Sequence, residues 1–488
     1  MTGDMKLEHF VFRSLMPASA DSVFAWHCRP GAFERLSPPW EAVKVFERTG
    51  GVQDGGRVVL ALRAGGLRRR WTAEHCDYEQ GRQFCDVQTE GPFAHWRHCH
   101  RMVPDGPDRC YLEDDIEYAL PFGCLGALLG GALVRRKLER MFRYRHRITA
   151  GDLCFHQRCL RGQPMKIAIT GSSGLVGSAL VPFLTTGGHH VTRIARTSTN
   201  EGDAAWNPVT GQIEAGRVEG LDAVIHLAGE NIAARRWNAE QKARIRASRV
   251  QGTKLLCETL AKLQRPPQVL ISASAIGYYG DQGDRELTEE SPSGSGFLPE
   301  VCREWEAATE AAKKAGIRVV QLRFGVILSP GGGALAKMLT PFRLGLGGRI
   351  GNGRQWMSWI ALDDVVGCIH HALATDSLHG PVNAVAPKPV TNCDFSKTLG
   401  KVLWRPTLFS MPGFMARVAF GEMANELLLA STRVLPQALL DSTYRFLHGD
   451  LESALRHLLG KVGSTPTDNQ PTRLPSSHDQ PVEVGADR

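Results

Sequence analysis

The chain has no run of about 18 apolar residues, the length a helix needs to cross a bilayer. Its most apolar stretch, Ala119 to Val134, is short and glycine-rich, so no transmembrane segment is expected. Met1 to Phe10 holds no apolar core of signal-peptide length. The 12 cysteines include no Cys-x-x-Cys and no regular framework, which points to reduced thiols in a cytoplasmic protein. The net charge of +8 is spread without a sustained Lys/Arg block, so a mildly basic surface is expected and nucleic-acid binding is not. Arg68-Arg69-Arg70, ahead of Trp71, reads as a solvated strand end. His98-Cys99-His100 is ligand-like in composition. Alternate strand residues face opposite ways, however, so Cys99 points away from both histidines, and no second Cys/His pair follows at finger spacing. No metal site is expected. Tyrosine is scarce, at 7 residues, and none lies between Tyr279 and Tyr444.

At 488 residues the chain is long enough for two or three domains, and 42% hydrophobic with 22% charged residues is an ordinary globular composition. Its organising stretch is Lys166 to Leu180. Ile167, Ala168 and Ile169 suit a strand buried on both faces of a parallel sheet. Gly171 permits a tight turn, Gly174 lets the backbone approach a pyrophosphate, and Gly177 lets the following helix lie close to the strand. The helix start then offers free N–H groups and a positive dipole end to phosphates. Flanked by strand and helix in this way, the triplet reads as a dinucleotide turn.

Residues 1–150 follow a different order. A first strand carries Phe10, Phe12 and Leu15, and Ala18 to Trp26 reads as a short helix. A loop with Pro30, Gly31, Pro38 and Pro39 follows. Strand-like runs then cover 58–62, 70–76, 83–89, 94–103 and 110–118, and a helix carries Leu133, Leu138, Met141 and Phe142. This order resembles the helix-grip fold of the START/Bet v 1-like (polyketide-cyclase-like) superfamily. The resemblance implies an α+β domain whose sheet curls round a long helix. Such a domain either holds a hydrophobic ligand in a cavity or has a filled core and serves for docking. Residues 151–164 mix Cys, His, Arg, Gly and Pro without period and read as an interdomain linker. Met165 stands where an initiator would in a free-standing second part, which suggests a gene fusion.

From residue 165 strands and helices alternate, as in a Rossmann-type α/β parallel sheet. The second strand, His190 to Arg196, carries Arg193 and Arg196 where an NAD site would place an acid about 20 residues after the glycines. The first acid is Glu201. A guanidinium there suits a 2′-phosphate, so NADP is the expected cofactor. The expected domain spans 165–390, with a small C-terminal helical region at 391–460. The Pro-, Ser- and Thr-rich stretch 461–488 reads as a disordered tail.

Five blocks together resemble the extended short-chain dehydrogenase/reductase superfamily. They are Thr170-Gly171-x-x-Gly174-x-x-Gly177, His226-Leu227-Ala228-Gly229, Ser272 through Gly280, Arg323 through Leu328, and Trp359-Ile360-x-x-Asp363-Asp364-Val365. Within it the chain is similar to an epimerase-like group of uncharacterised oxidoreductases related to nucleotide-sugar epimerases. Asn231-Ile232-Ala233, Gly296 through Glu306 and the Leu428 to Pro436 region fit that group. The resemblance implies that Gly171, Ser173, Gly174, Leu175, Val176 and Gly177 line the pyrophosphate. Arg196 would meet the adenosine ribose, Leu227, Ala228 and Gly229 would pass beneath it, and Ser272 and Ser274 would lie near the nicotinamide. Family enzymes use Tyr-x-x-x-Lys on the helix after the serine strand, where Tyr is the acid/base and Lys lowers its pKa. Here the corresponding slots hold Leu298 and Cys302.

Three readings are open. One is an oxidoreductase with a substitute acid, chiefly Tyr278 or Tyr279 beside Ser274, with Glu230, Asp281 and Glu300 as further choices. Another is a catalytically inert NADP-binding sensor coupled to the N-terminal domain. The third is an epimerase or dehydratase that keeps its cofactor. A small-molecule substrate and a homodimer complete the expectations.

Overall fold

The computed structural model describes residues 6–41, 43–64, 67–121, 123–158, 163–196 and 202–461. Its first part is one antiparallel sheet built from β1 (Glu8–Met16), β2 (Lys44–Thr49), β3 (Arg57–Ala64), β4 (Leu67–Glu79), β5 (Gln83–Glu90), β6 (His95–Pro104) and β7 (Cys110–Ala119). The spatial order is β1-β7-β6-β5-β4-β3-β2. Helices α1 (Ala20–Cys28) and α2 (Ala32–Leu36) lie between β1 and β2, and α3 (Gly123–Arg158) follows the sheet. Burial drives the closure. Leu138 and Phe142 of α3 meet Phe10, Trp96, Ile116 and Tyr118 of the sheet, while Leu153 joins Trp26, Phe84 and Leu112. This is the helix-grip arrangement. Two elements lacked a sequence signal: β2 exposes all six of its residues, so it shows no alternation, and α2 lies inside the stretch read as a proline-rich loop.

Two expectations need correction. Residues Cys85 and Cys99 stand directly opposite one another in the β5–β6 register and form a disulfide, so the thiols are not all reduced. The linker assigned to 151–164 is in fact helical as far as Arg158, inside a single 36-residue α3. Gly151 is a close-approach position here, since a Cβ on it would lie 3.3 Å from Leu447 Cδ1. Phe155, four residues on, is buried in the core of the following domain with Ile167, Phe183 and Tyr444. Residues 159–162 of the assigned linker and 462–488 of the assigned tail lie outside the described residues.

The second part is a sheet containing β8 (Lys166–Thr170), β9 (His190–Ala195), β10 (Ala204–Asn207), β11 (Gln212–Ile213), β12 (Ala223–His226), β13 (Val269–Ala275) and strands Arg318–Phe324 and Gly380–Ala384. They are ordered β11-β10-β9-β8-β12-β13, then 318–324, then 380–384. Every pairing is parallel except β10 with β11. Helices α4 (Leu175–Thr186), α5 (Ala239–Leu260) and α6 (Phe297–Ala307) cover it with others. Except for Lys166, β8 and β12 are buried throughout, which explains their unbroken apolar runs. The chain runs outward from β8 to β11 and returns to the other side of β8 at β12, so the strand order reverses between β8 and β12. Open α/β sheets bind ligands at such a point. The helical region after residue 390 is not a separate body: Phe395, Leu399 and Leu455 share one core with Leu335, Leu339 and Trp359.

The two sheets are locked together. Gly31 opens α2 at φ 98°, and a Cβ there would lie 2.6 Å from the Pro182 Cα of α4. Arg35, only 7% exposed, donates Nε and Nη2 to Asp152 at 2.8 and 2.6 Å and Nη2 to Asp363 at 3.3 Å. The other carboxylate oxygen of Asp363 meets His457 Nε2 at 3.0 Å.

Candidate nucleotide site

Thr170 ends β8 and organises the crevice. Its hydroxyl oxygen accepts the backbone N–H groups of Leu227 and Ala228 at 3.1 and 3.2 Å, pinning the loop after β12. With both lone pairs used, its proton goes to His226 Nδ1 at 2.7 Å, and His226 donates from Nε2 to Thr253 Oγ1 at 3.0 Å. Burial lowers the His226 pKa to about 4, so the ring is neutral, as this tautomer requires.

Gly171 follows at φ 69°, and a Cβ there would lie 2.7 Å from the Leu227 carbonyl carbon. Only glycine lets the two strand ends come this close. A Cβ at Gly177 would lie 2.6 Å from Ser172 Cα, so glycine also sets how tightly α4 returns over the turn. Gly174 caps α4 without a side-chain hydrogen bond and donates its own N–H to Gly171 O at 3.0 Å. The N–H groups of the first turn of α4 are therefore left for a ligand. Ser173 and Gly229 are exposed, and Leu175, Val176, Leu227 and Ala228 are half-buried around the crevice. Arg196 is exposed one residue past β9. The turn is tight, the start of α4 has open donors, and Arg196 stands exposed after the neighbouring strand.

On the serine strand, Ser272 is buried and stands in register with His226, the last residue of β12. Ser274 donates its hydroxyl to Glu306 Oε1 at 2.6 Å. Glu306 in turn receives Arg323 Nε and Nη2, each at 2.8 Å, in a bidentate pair. Arg323 Nη1 also donates to the Tyr279 hydroxyl at 2.9 Å, which contacts Asn383 Oδ1 at 2.7 Å and Thr288 O at 3.0 Å. Tyr279 is fully buried, and desolvation pushes its phenol up to about 12. This corrects the reading of Tyr279 as a candidate acid, because the hydroxyl is committed to the network and shut off from substrate. Tyr278 differs. It is half-buried, the Arg323 guanidinium lies 3.6 Å from its ring centroid, and its hydroxyl has no partner among the described residues. Of the two phenols, Tyr278 is therefore the one whose hydroxyl is left uncommitted.

Helix α6 carries the slots that would hold the family dyad. Leu298 lies against Gly277, where a Cβ would be 3.3 Å from Leu298 Cβ. Cys302 sits 3.8 Å from Ala275 O, with its thiol pushed up to about 12 by burial. Neither supplies an acid/base. Sequence reasoning assigned no role to Thr170, His226 and Thr253, nor to Arg249, which donates to Glu230 O at 3.1 Å and supports the loop after Gly229. The available signal was a polar residue at the end of each of two otherwise apolar strands.

Residues 167–385 match the NAD dependent epimerase/dehydratase family, 411–458 a domain of unknown function, and 16–143 the polyketide cyclase / dehydrase and lipid transport family. An epimerase family protein of Mycobacterium bovis is 43% identical over 298 residues, covering 61% of this chain and 98% of that protein. The human epimerase family protein SDR39U1 is 35% identical, covering 60% of this chain and all of the human protein. The crystal structure of a nucleoside-diphosphate sugar epimerase from Corynebacterium glutamicum superposes over 92% of this chain and 90% of that one, with TM-score 0.76 and 36% identity. Human SDR39U1 with NADPH superposes with TM-score 0.57 at 34% identity, over 61% of this chain and the whole of that one. Among the described residues no helix is long and apolar enough to cross a membrane.

Proposed function

Because this chain belongs to the NAD-dependent epimerase/dehydratase family, we propose that it holds NADP(H) across the ends of β8 and β12 and exchanges hydride with an unidentified carbonyl or hydroxyl compound. The observation that carries the reading is the cradle itself: Gly171 wedged against Leu227 and Ala228, beside an uncapped α4. NADPH on the human relative supports the cofactor. When bound, the nicotinamide supplies or accepts the hydride. The N–H groups opening α4 hold the phosphates, and Arg196 offers its guanidinium to the 2′-phosphate. Tyr278 holds the exchanged proton at its hydroxyl, beside Arg323. Ser274 acts on the reaction through Glu306, keeping Arg323 in place.

The test follows nicotinamide absorbance against a panel of aldehydes, ketones and sugar nucleotides. Tyr278→Phe is expected to lower turnover by about 10²–10⁴-fold with NADPH affinity retained. Turnover equal to the parent would remove Tyr278 from the chemistry. Arg196→Ala is expected to shrink the NADPH/NADH affinity ratio, measured by fluorescence titration, and an unchanged ratio rejects the NADP assignment.

A second reading is favoured by Leu298 and Cys302 in the dyad slots: an NADP-binding sensor without turnover, coupled to a hydrophobic ligand in the N-terminal domain. Tight NADPH binding with no oxidation across the panel, together with a cofactor-dependent change in ligand affinity, would select it.

A further inference from the structure

The face of the antiparallel sheet turned toward α3 carries charge. Register explains how. Asp86 on β5 stands opposite His98 on β6, and His100 on β6 stands opposite Asp114 on β7. Strand alternation turns these four to one face and sends Cys85 and Cys99 to the other. His98 spans the cluster, with Nδ1 3.1 Å from Asp86 Oδ2 and Nε2 2.8 Å from Asp114 Oδ1. His146 of α3 also contacts Asp114 through Nε2. The ligand atoms of Asp86, His98 and His100 all lie within 4.8 Å of one another.

His100 is 8% exposed, and its Nδ1 lies 2.6 Å from Asp114 Oδ1, so one carboxylate faces both imidazoles. We infer that Asp86, His98 and His100 bind a divalent transition-metal ion of the zinc class in the N-terminal domain, with Asp114 orienting both imidazoles from behind.

Three observations carry this. Two imidazoles and one carboxylate are the donor set that borderline metals take, leaving a fourth position for water or a ligand. Donor atoms on a tetrahedral ion with bonds of about 2.0–2.1 Å stand about 3.3 Å apart, close to the 3.1 Å already separating His98 Nδ1 from Asp86 Oδ2. An imidazole that binds metal through one nitrogen and donates the other to a carboxylate is the usual outer arrangement, and His98 is poised for it through Asp114. A dication balances Asp86 and Asp114 with both imidazoles neutral. The Asp86 side chain is 17% exposed and gives the ion a way in, while Phe84 stacks on His100 at 4.5 Å and keeps the remainder dry.

The test uses the untagged full chain, stripped with a chelator and titrated with Co²⁺, whose visible absorption reports a tetrahedral nitrogen and oxygen shell. One cobalt per chain, displaced by Zn²⁺, is expected. Asp86→Asn and His100→Gln should each weaken binding by at least about tenfold. His190→Gln, an exposed histidine of the other sheet, should leave it unchanged. Absence of stoichiometric binding overturns the site, as does parental affinity in both cluster variants. Should either variant lose its near-ultraviolet circular dichroism, X-ray absorption of the zinc-loaded unaltered chain decides instead. Two imidazole nitrogens with oxygen support the site, and a sulfur-containing or imidazole-free shell overturns it.

Discussion

In the parallel sheet, β8 beyond Lys166 and β12 are apolar but for the neutral groups that end them, and Thr170, His226 and Thr253 satisfy one another and two backbone donors. The face of the antiparallel sheet toward α3 instead sets half-buried Asp86 beside buried His98, His100 and Asp114 among aromatic rings. One sheet shapes its ligand site with backbone, and side chains only brace it. The other builds polarity from side chains on neighbouring strands. The first is robust to side-chain change and intolerant of any atom added at its glycines. The second depends on register and on charge balance.

That contrast can be broken most strongly at Asp114. Asp114→Asn removes the carboxylate facing three imidazoles, and the expected loss is about 3–5 kcal/mol in urea unfolding. A loss below about 1 kcal/mol, the scale of an exposed pair, would mean that charge does not hold this face together. The counterpart in the other sheet is Thr170→Val. It strands the Leu227 and Ala228 N–H groups, costs about 1–3 kcal/mol, and weakens NADPH binding by releasing the loop. Unchanged NADPH affinity would show that the loop is set elsewhere. The smallest effect per pH unit concerns protons. His226 titrates near 4 in the fold against about 6.5 when unfolded, so the unfolded chain binds more protons between those values. Its contribution is therefore full above about pH 6.5 and falls as pH drops toward 4, by at most about 1.4 kcal/mol per unit. The fall should be shallower in His226→Gln, measured by urea unfolding at a series of pH values, and an equal slope would show that His226 does not titrate in this range.

What the chain discloses by reading along it follows the same division. The glycine turn is contiguous, and its residues act through backbone geometry, so Gly171, Gly174 and Gly177 were legible with the strand and helix around them. The order of the helix-grip elements was legible because buried strands alternate, and exposed β2 was lost for the converse reason. The linker was misread because Gly151, followed by a polar mixture, imitates a break, whereas its small size serves contact with Leu447. Ser274 and Tyr279 stand together in one block, yet their partners Glu306, Arg323 and Asn383 arrive from distant segments. His98-Cys99-His100 was set aside for want of a second pair at finger spacing, and Asp86, which joins the two histidines, comes from the adjacent strand.

Helix α3 has a mechanical meaning. Its 36 residues make a rod about 54 Å long, lying against one sheet from Leu138 to Leu153 and ending inside the core beneath the other. The molecule thus has a shaft over 151–158, where the sequence suggested a joint. A tilt of about one degree at one end carries the other by about 1 Å. Cutting the shaft at residue 150 would not free two finished halves: it would take Leu153 from the first core and Asp152 from Arg35, leaving the first half with an open wound where the rod had been.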